Sequence, residues 1–380
     1  MLIIADAKTV FAREAFQRLG DVRYLKTAEI TRSALHDADA VVVRSETRVG
    51  RDLLEGTAVR FVGTATIGTD HIDLDYLHDR EIGFASAPGS NANSVAEYMV
   101  AALLEFSHLK AMSLQGKTIG IVGVGNVGSK VVRVAQGLGM EVLLNDPPLA
   151  EVSRDPKFLT LDEIMDADFI SLHVPLTDGG PHPTYHLFGA NRIGKMKPGS
   201  VLINTARGAV VDTEPLKADL QRGHLGGAIL DVWEQEPDID RELLASVDIG
   251  TPHIAGFSLD GKHNAVRMLF DAICGHFGID AAWKEIHDLP KPVPDQLLAP
   301  DTSEGEKAIR QVVSHCYDIL QDDRNLRGVL SASPAVCSSY FRALRSDYPS
   351  RWEFLNWRVS FPHPNPDLQR ILKTLGFRIE

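Results

Sequence analysis

Short apolar runs separated by amphipathic stretches fill residues 1–93. The runs at Leu2–Ala5, Val22–Leu25, Ala40–Val43, Arg60–Val62 and Gly83–Ala85 predict strands. The stretches Phe11–Leu19, Ile30–His36, Asp52–Leu54 and Leu74–Asp79 predict helices between them. A longer helical pattern covers Ser94–Leu114, and a second alternating series then begins. Its strands read Thr118–Gly123, Glu141–Asn145, Asp168–Leu172, Val201–Asn204, Ala228–Val232 and Asp248–Gly250, and an apolar helix follows at Asn264–Phe277. Strand–helix alternation of this kind gives parallel sheets covered on both faces. The expected class is therefore α/β, with two Rossmann-like or flavodoxin-like lobes.

Beyond them the pattern changes. Leu289–Pro300 holds Pro290, Pro292, Pro294 and Pro300, which is linker chemistry. One apolar stripe runs through Glu306–Gln321, an aromatic-rich stretch extends from Tyr340 to Trp357, and a last helix is predicted near Leu368–Leu375. These make a small α+β C-terminal module. The apolar stripe and the aromatic patch suggest a surface for self-association.

Composition narrows the partners. A net charge of −12 argues against a general nucleic-acid or anionic-membrane binder, either of which needs a broad basic face. A small anionic substrate needs only a local basic pocket. Glu97, Glu105, His108 and Lys110 make Ser94–Leu114 too polar to span a bilayer. Cys274, Cys316 and Cys337 are scattered, without a CxxC pair, which suits a reducing compartment. The opening MLIIADAK does not read as a secretion signal, and a cytoplasmic protein is expected.

The sharpest motif is Gly123-x-Gly125-x-x-Gly128, between a predicted strand and a predicted helix. The first glycine permits the turn, the second lets a pyrophosphate approach the backbone, and the third lets helix pack on strand. Gly123, Gly125, Asn126, Val127 and Gly128 are the expected phosphate cradle. Asp146 ends the next strand, where a carboxylate accepts hydrogen bonds from a ribose and repels a 2′-phosphate. Pro147-Pro148 follow it in place of an arginine, so NAD is favoured over NADP.

Arg207, Glu236 and His253 fall at or just beyond strand ends of the same series. A cation, an acid and an imidazole beside a nicotinamide are what alcohol oxidation requires. The histidine takes the hydroxyl proton, the carboxylate orients it, and the arginine grips a substrate carboxylate. His182 and His186 have metal-like spacing, but their loop is rich in glycine and proline and no third ligand is evident. No metal is expected.

Over about its first 280 residues the chain resembles the D-isomer-specific 2-hydroxyacid dehydrogenases. The matching segments include GTDHIDLDYL, APGSNANSVAEYMVAALL, GIVGVGNVGSKV, SLHVPLT, MKPGSVLINTARGAVVD, GAILDVWEQEP and TPHIAG. The resemblance implies a cofactor lobe inserted into a discontinuous substrate lobe. Its boundaries are 1–93 with 257–288 for substrate, 94–256 for NAD, and 289–380 for a C-terminal dimerisation domain. It also implies roles for further residues. Thr205, Ala206 and Asp231 would lie near the nicotinamide, Val174 and Gly256 would line the cofactor, and Ser45, Thr66 and Phe257 would face substrate beside Arg207.

The GTATIGTDHID loop, the TDGGPHPTYHLF insertion and the C-terminal module resemble a branch acting on a phosphorylated hydroxy acid as a homodimer. Two alternatives remain at this stage. One is another enzyme of the family, such as a 3-phosphoglycerate dehydrogenase, and the other is an NAD-sensing binding protein with no turnover.

Overall fold

The computed structural model describes residues 1–284, 291–301, 305–349 and 351–380. The expected boundary at 288/289, with the first residues of the proline-rich linker, lies outside them. The chain forms two compact units, one of Met1–Asn91 with Phe257–Pro290 and one of Ala92–Gly256 with Lys291–Glu380.

In the first unit, β1 (Leu2–Asp6), β2 (Asp21–Leu25), β3 (Ala40–Val43), β4 (Phe61–Thr64) and β5 (Gly83–Ala85) form a parallel sheet. Its order is β2-β1-β3-β4-β5. β3 is Ala-Val-Val-Val and fully buried, as a central strand covered on both faces must be. The helix Leu259–Phe277 returns to this sheet and places Val266, Leu269, Phe270 and Ile273 against Ile3, Ala5, Phe16 and Val42.

The helix expected at Ile30–His36 is absent. The chain makes a short 3-10 turn at Thr27–Glu29 and then further turns. Thr31 Oγ1 meets Ser33 Oγ at 3.1 Å and accepts from the Ala34 N–H at 3.4 Å. Such side chains compete with the helical backbone pattern.

In the second unit, β6 (Thr118–Val122), β7 (Glu141–Asn145), β8 (Phe169–Leu172), β9 (Val201–Asn204), β10 (Gly227–Leu230) and β11 (Ile249–Gly250) are parallel. The order β11-β10-β9-β8-β6-β7 reverses direction at β6, between β7 and β8. Ligands of open α/β sheets bind at that reversal, beyond the carboxyl ends of the strands.

Lys291–Glu380 groups with this second unit. Its sheet is β12 (Gln296–Leu298), β13 (Arg358–Ser360) and β14 (Arg378–Ile379). Leu326, Val329, Cys337 and Phe341 share a core with Leu230, Trp233 and Leu244.

The apolar stripe takes a different form from the one expected. The helix breaks after Cys316, and Asp318 caps a new one at Ile319–Ser331 by accepting from the Gln321 N–H at 3.1 Å. Ala308, Ile309, Val312, Val313 and Ile319 are all at most 3% exposed within the single chain. Phe341, Phe354 and Trp357 are buried too. The stripe is therefore consumed by intramolecular packing and is not a free association surface. No helix among the described residues is long and apolar enough to cross a membrane.

Candidate active site

β6 ends at Val122, and Gly123 turns the chain with φ +88°, a left-handed value that strains other residues. A Cβ there would approach the His173 carbonyl oxygen to 2.7 Å and the Val174 side chain to 2.9 Å. Gly125 has open space around it and precedes the helix Asn126–Gly137. A Cβ on Gly128 would collide with the Gly123 carbonyl oxygen. The turn thus leaves a cradle at a helix N-terminus, where first-turn N–H groups lack intrahelical partners.

Asp146 closes one side of the cradle. Its Oδ2 accepts from the Val124 N–H at 2.8 Å, inside the glycine turn, and its Oδ1 accepts from the Leu149 N–H at 3.0 Å. The carboxylate therefore braces the turn as well as standing at the end of β7. Gly123, Gly125, Asn126, Val127, Gly128 and Asp146 thus stand together at the carboxyl ends of β6 and β7.

His173 was not singled out by the sequence reading, although it stands in the SLHVPLT segment. Its Nε2 meets Ser171 Oγ at 2.9 Å and its Nδ1 meets Thr205 Oγ1 at 3.2 Å. Burial pushes its pKa down to about 3, so it is a neutral bridge that fixes Thr205. Asn204, at the end of β9, accepts from the Ala206 N–H through Oδ1 at 3.0 Å and donates to the Arg207 carbonyl at 2.9 Å. The Thr205–Arg207 turn is therefore held from both directions. Gly208 then lies so close to the Trp233 and Glu234 backbone that any Cβ would clash. That approach brings the arginine turn to the Trp233–Glu236 segment.

The imidazole and its expected carboxylate partner meet directly. His253 Nδ1 lies 2.7 Å from Glu236 Oε2, and Glu236 Oε1 accepts from the Trp233 N–H at 2.8 Å. Burial alone would raise the Glu236 pKa. The charge and hydrogen bond of His253, the Trp233 N–H and the charge of Arg345 outweigh it, and the net shift is downward. The carboxylate stays ionised and fixes the ring through Nδ1.

His253 sits at φ 57°, a left-handed conformation that costs a non-glycine residue on the order of 1–3 kcal/mol. Asp231 holds the conformation. Its carboxylate is 1% exposed and accepts from Thr251 Oγ1 at 2.7 Å, the Ile254 N–H at 2.8 Å and the Ala255 N–H at 3.0 Å. Burial raises its pKa, partly opposed by His253 and these donors. Asp231, expected near the nicotinamide end, turns its carboxylate into the loop that presents His253. Gly256 ends that loop.

Ser45, Thr66 and Phe257 belong to the first unit. Ser45 is exposed just past β3, and Thr66 Oγ1 bonds Thr64 Oγ1 at 2.7 Å and the Gly68 carbonyl at 3.0 Å. The Lys262 ammonium lies 5.6 Å from the centroid of the Phe257 ring.

His182 and His186 do not converge. His182 pairs with Glu151 at 2.8 Å, whereas His186 turns Nε2 to Glu234 at 2.7 Å and Nδ1 to Asp212 at 3.7 Å. His186, Asp212 and Glu234 do form a group with metal-ligand chemistry that the sequence reading missed. The two ring nitrogens face different carboxylates, which is the arrangement of an imidazole bridging two acids.

Comparison with known proteins gives the family. The family described as "D-isomer specific 2-hydroxyacid dehydrogenase, NAD binding domain" matches residues 91–255, and a domain of unknown function (DUF3410) matches residues 289–376. A 3-phosphoglycerate dehydrogenase from Entamoeba histolytica, solved with NAD+, superposes with a TM-score of 0.63 at 26% identity. The match covers 74% of this chain and 97% of that one. The chain belongs to the D-isomer-specific 2-hydroxyacid dehydrogenases, and its cofactor is NAD.

Within that family its relatives over the full length include erythronate-4-phosphate dehydrogenases. The one from Chromohalobacter salexigens is 43% identical over 100% of this chain and 99% of its own. That from Salinibacter ruber is 44% identical over 92% of each chain.

Proposed function

We propose that the protein oxidises 4-phospho-D-erythronate to (R)-3-hydroxy-2-oxo-4-phosphooxybutanoate, a step of vitamin B6 biosynthesis. The observation that carries the reading is the 2.7 Å Glu236–His253 pair, presented by the loop after β11 in the unit that holds the glycine turn. NAD, when bound, supplies the hydride acceptor. Gly123, Gly125, Asn126, Val127, Gly128 and Asp146 would hold its adenosine and pyrophosphate, and Val174, Thr205, Ala206, Asp231 and Gly256 would line its nicotinamide half. Arg207 binds the substrate carboxylate. His253 Nε2 takes the hydroxyl proton as the hydride leaves carbon, and Glu236 stabilises the imidazolium that forms. Ser45, Thr66 and Phe257 contact the rest of the substrate.

The phosphorylated substrate is supported by the names of the full-length relatives and by a pair of cations in the first unit. Arg44, just past β3, and Lys262, in the first turns of the Leu259–Phe277 helix, act on each other electrostatically. No carboxylate pairs with either side chain among the described residues. Burial, and then the charge of Arg44, lower the Lys262 pKa. Two cations placed together without an acid are relieved by an anion such as phosphate.

Initial rates of NADH formation with 4-phosphoerythronate, 3-phosphoglycerate and glycerate test the assignment. A clear preference for the first is expected, and comparable turnover of all three overturns it. The same preference separates this reading from a binding protein that does no chemistry. We propose further that the protein works as a homodimer, on its relation to that branch. Sedimentation at micromolar concentration is expected to give twice the chain mass, and a monomer would contradict it.

A further inference from the structure

The loop that presents His253 is gripped at both shoulders by side chains from the C-terminal segment, the part that matches a domain of unknown function. Upstream, the Gly250 N–H donates to Asp323 Oδ1 at 2.8 Å. Asp323 is itself fixed, because its Oδ2 accepts from Arg327 Nε at 2.7 Å. Arg327 in turn donates to the carbonyls of Leu244 at 3.0 Å and Val247 at 2.8 Å, which lead into β11. Downstream, Arg351 Nη2 donates to the Ala255 carbonyl at 2.6 Å and to the Ser94 carbonyl at 3.2 Å. Ala255 is two residues past His253.

Arg351 is 7% exposed, and its guanidinium lies 4.3 Å from the centroid of the Tyr317 ring, which holds the plane in one orientation. A buried cation is costly unless charges and hydrogen bonds compensate it. Its partners include the active-site loop, the N-terminal part of the Ala92–Leu109 helix and the charges of Glu97 and Asp322.

We infer that the C-terminal segment is a brace for the catalytic loop, with Arg351 as a positioning residue for His253. The inference rests on the reading of His253 as the acid/base. The loop needs a brace for the reason already given: His253 is held at a left-handed φ, and Asp231 secures it only from inside the sheet. Asp323 and Arg351 fix residues 250 and 255 from outside, so the ring cannot relax away from Glu236. Arg345, on the Cys337–Ser346 helix, adds a charge that favours the ionised Glu236.

The test uses the full-length chain with Arg351→Met and Arg351→Lys. For Arg351→Met we expect kcat with 4-phosphoerythronate to fall about 100-fold, since an ångström-scale misplacement of a reacting group costs that much. NADH affinity, read by fluorescence, is expected to stay within about twofold, because the glycine cradle is untouched. The 13Cε1 NMR resonance of His253 is expected to broaden or split. Arg351→Lys, which keeps the charge but reaches one carbonyl in place of two, should recover part of the loss, to about tenfold below the parent.

A wild-type kcat with an unchanged His253 resonance in Arg351→Met would overturn the brace. So would a loss of turnover matched by an equal loss of NADH binding, which means general unfolding. If Arg351→Met does not fold, Arg351→Lys decides by the same two readouts. A parent protein inactive on 4-phosphoerythronate, with a His253 resonance that still responds to Arg351→Lys, would sink the proposed function and leave the brace standing.

Discussion

At the scale of single residues, the Glu236–His253 bond makes a sharp prediction about turnover. The ionised carboxylate, held below its ordinary pKa by the imidazole and the Trp233 N–H, fixes the ring at 2.7 Å. Glu236→Gln removes that charge, and kcat should fall about 100-fold while NADH affinity is kept. A kcat identical to that of the parent would separate the two residues. These residues were legible in the sequence because each lies at or just beyond a strand's carboxyl end, where position alone says where a side chain goes. Arg351 and Asp323 were not legible. Their partners Ala255 and Gly250 are 96 and 73 positions away, and nothing local to either residue marks the contact.

At the scale of elements, alternation of apolar runs was sufficient for all eleven strands of the two large sheets. Parallel strands are short, apolar and separated by helices, so their signal is strong. Helices were less readable where polar side chains offered the backbone other partners. Thr31 and Ser33 replaced an expected helix with turns, and Asp318 split another by capping its second half. Asp146 shows a residue doing more than its motif implies. By accepting from the Val124 N–H it ties β7 to the glycine turn, so Asp146→Ala should both relax the preference for NAD over NADP and weaken binding of each. Measured KM values for the two cofactors decide this. An unchanged ratio would remove the ribose contact, and an unchanged KM for NAD would remove the brace on the turn.

At the scale of the whole molecule, the apolar stripe of the C-terminal segment was misread because one chain offers no view of what covers it. The Ala308–Val313 face is buried within its own chain, and the same segment closes over a polar interior. Asp322, 8% exposed, accepts from the Tyr348 hydroxyl at 2.8 Å near Arg351. Burial raises its pKa to about 6, against the donors that lower it. A carboxyl with a raised folded pKa binds its proton more tightly in the native state. Its contribution to stability is therefore present at pH 4 and lost as pH rises from about 4 to 6, by at most about 3 kcal/mol. The melting temperature of Asp322→Asn relative to the parent should increase across that window. A difference independent of pH would mean that Asp322 is ionised throughout.

The first sheet is completed by a helix that follows the entire NAD-binding sheet in sequence. On the ribosome, Ile3, Ala5, Phe16 and Val42 emerge long before Val266, Leu269 and Phe270 can cover them. The nascent chain therefore carries a bare apolar face while the inserted sheet is being made, and that interval is when a chaperone has something to hold. A permuted gene that begins with the returning helix would shorten the interval and lessen the need for one.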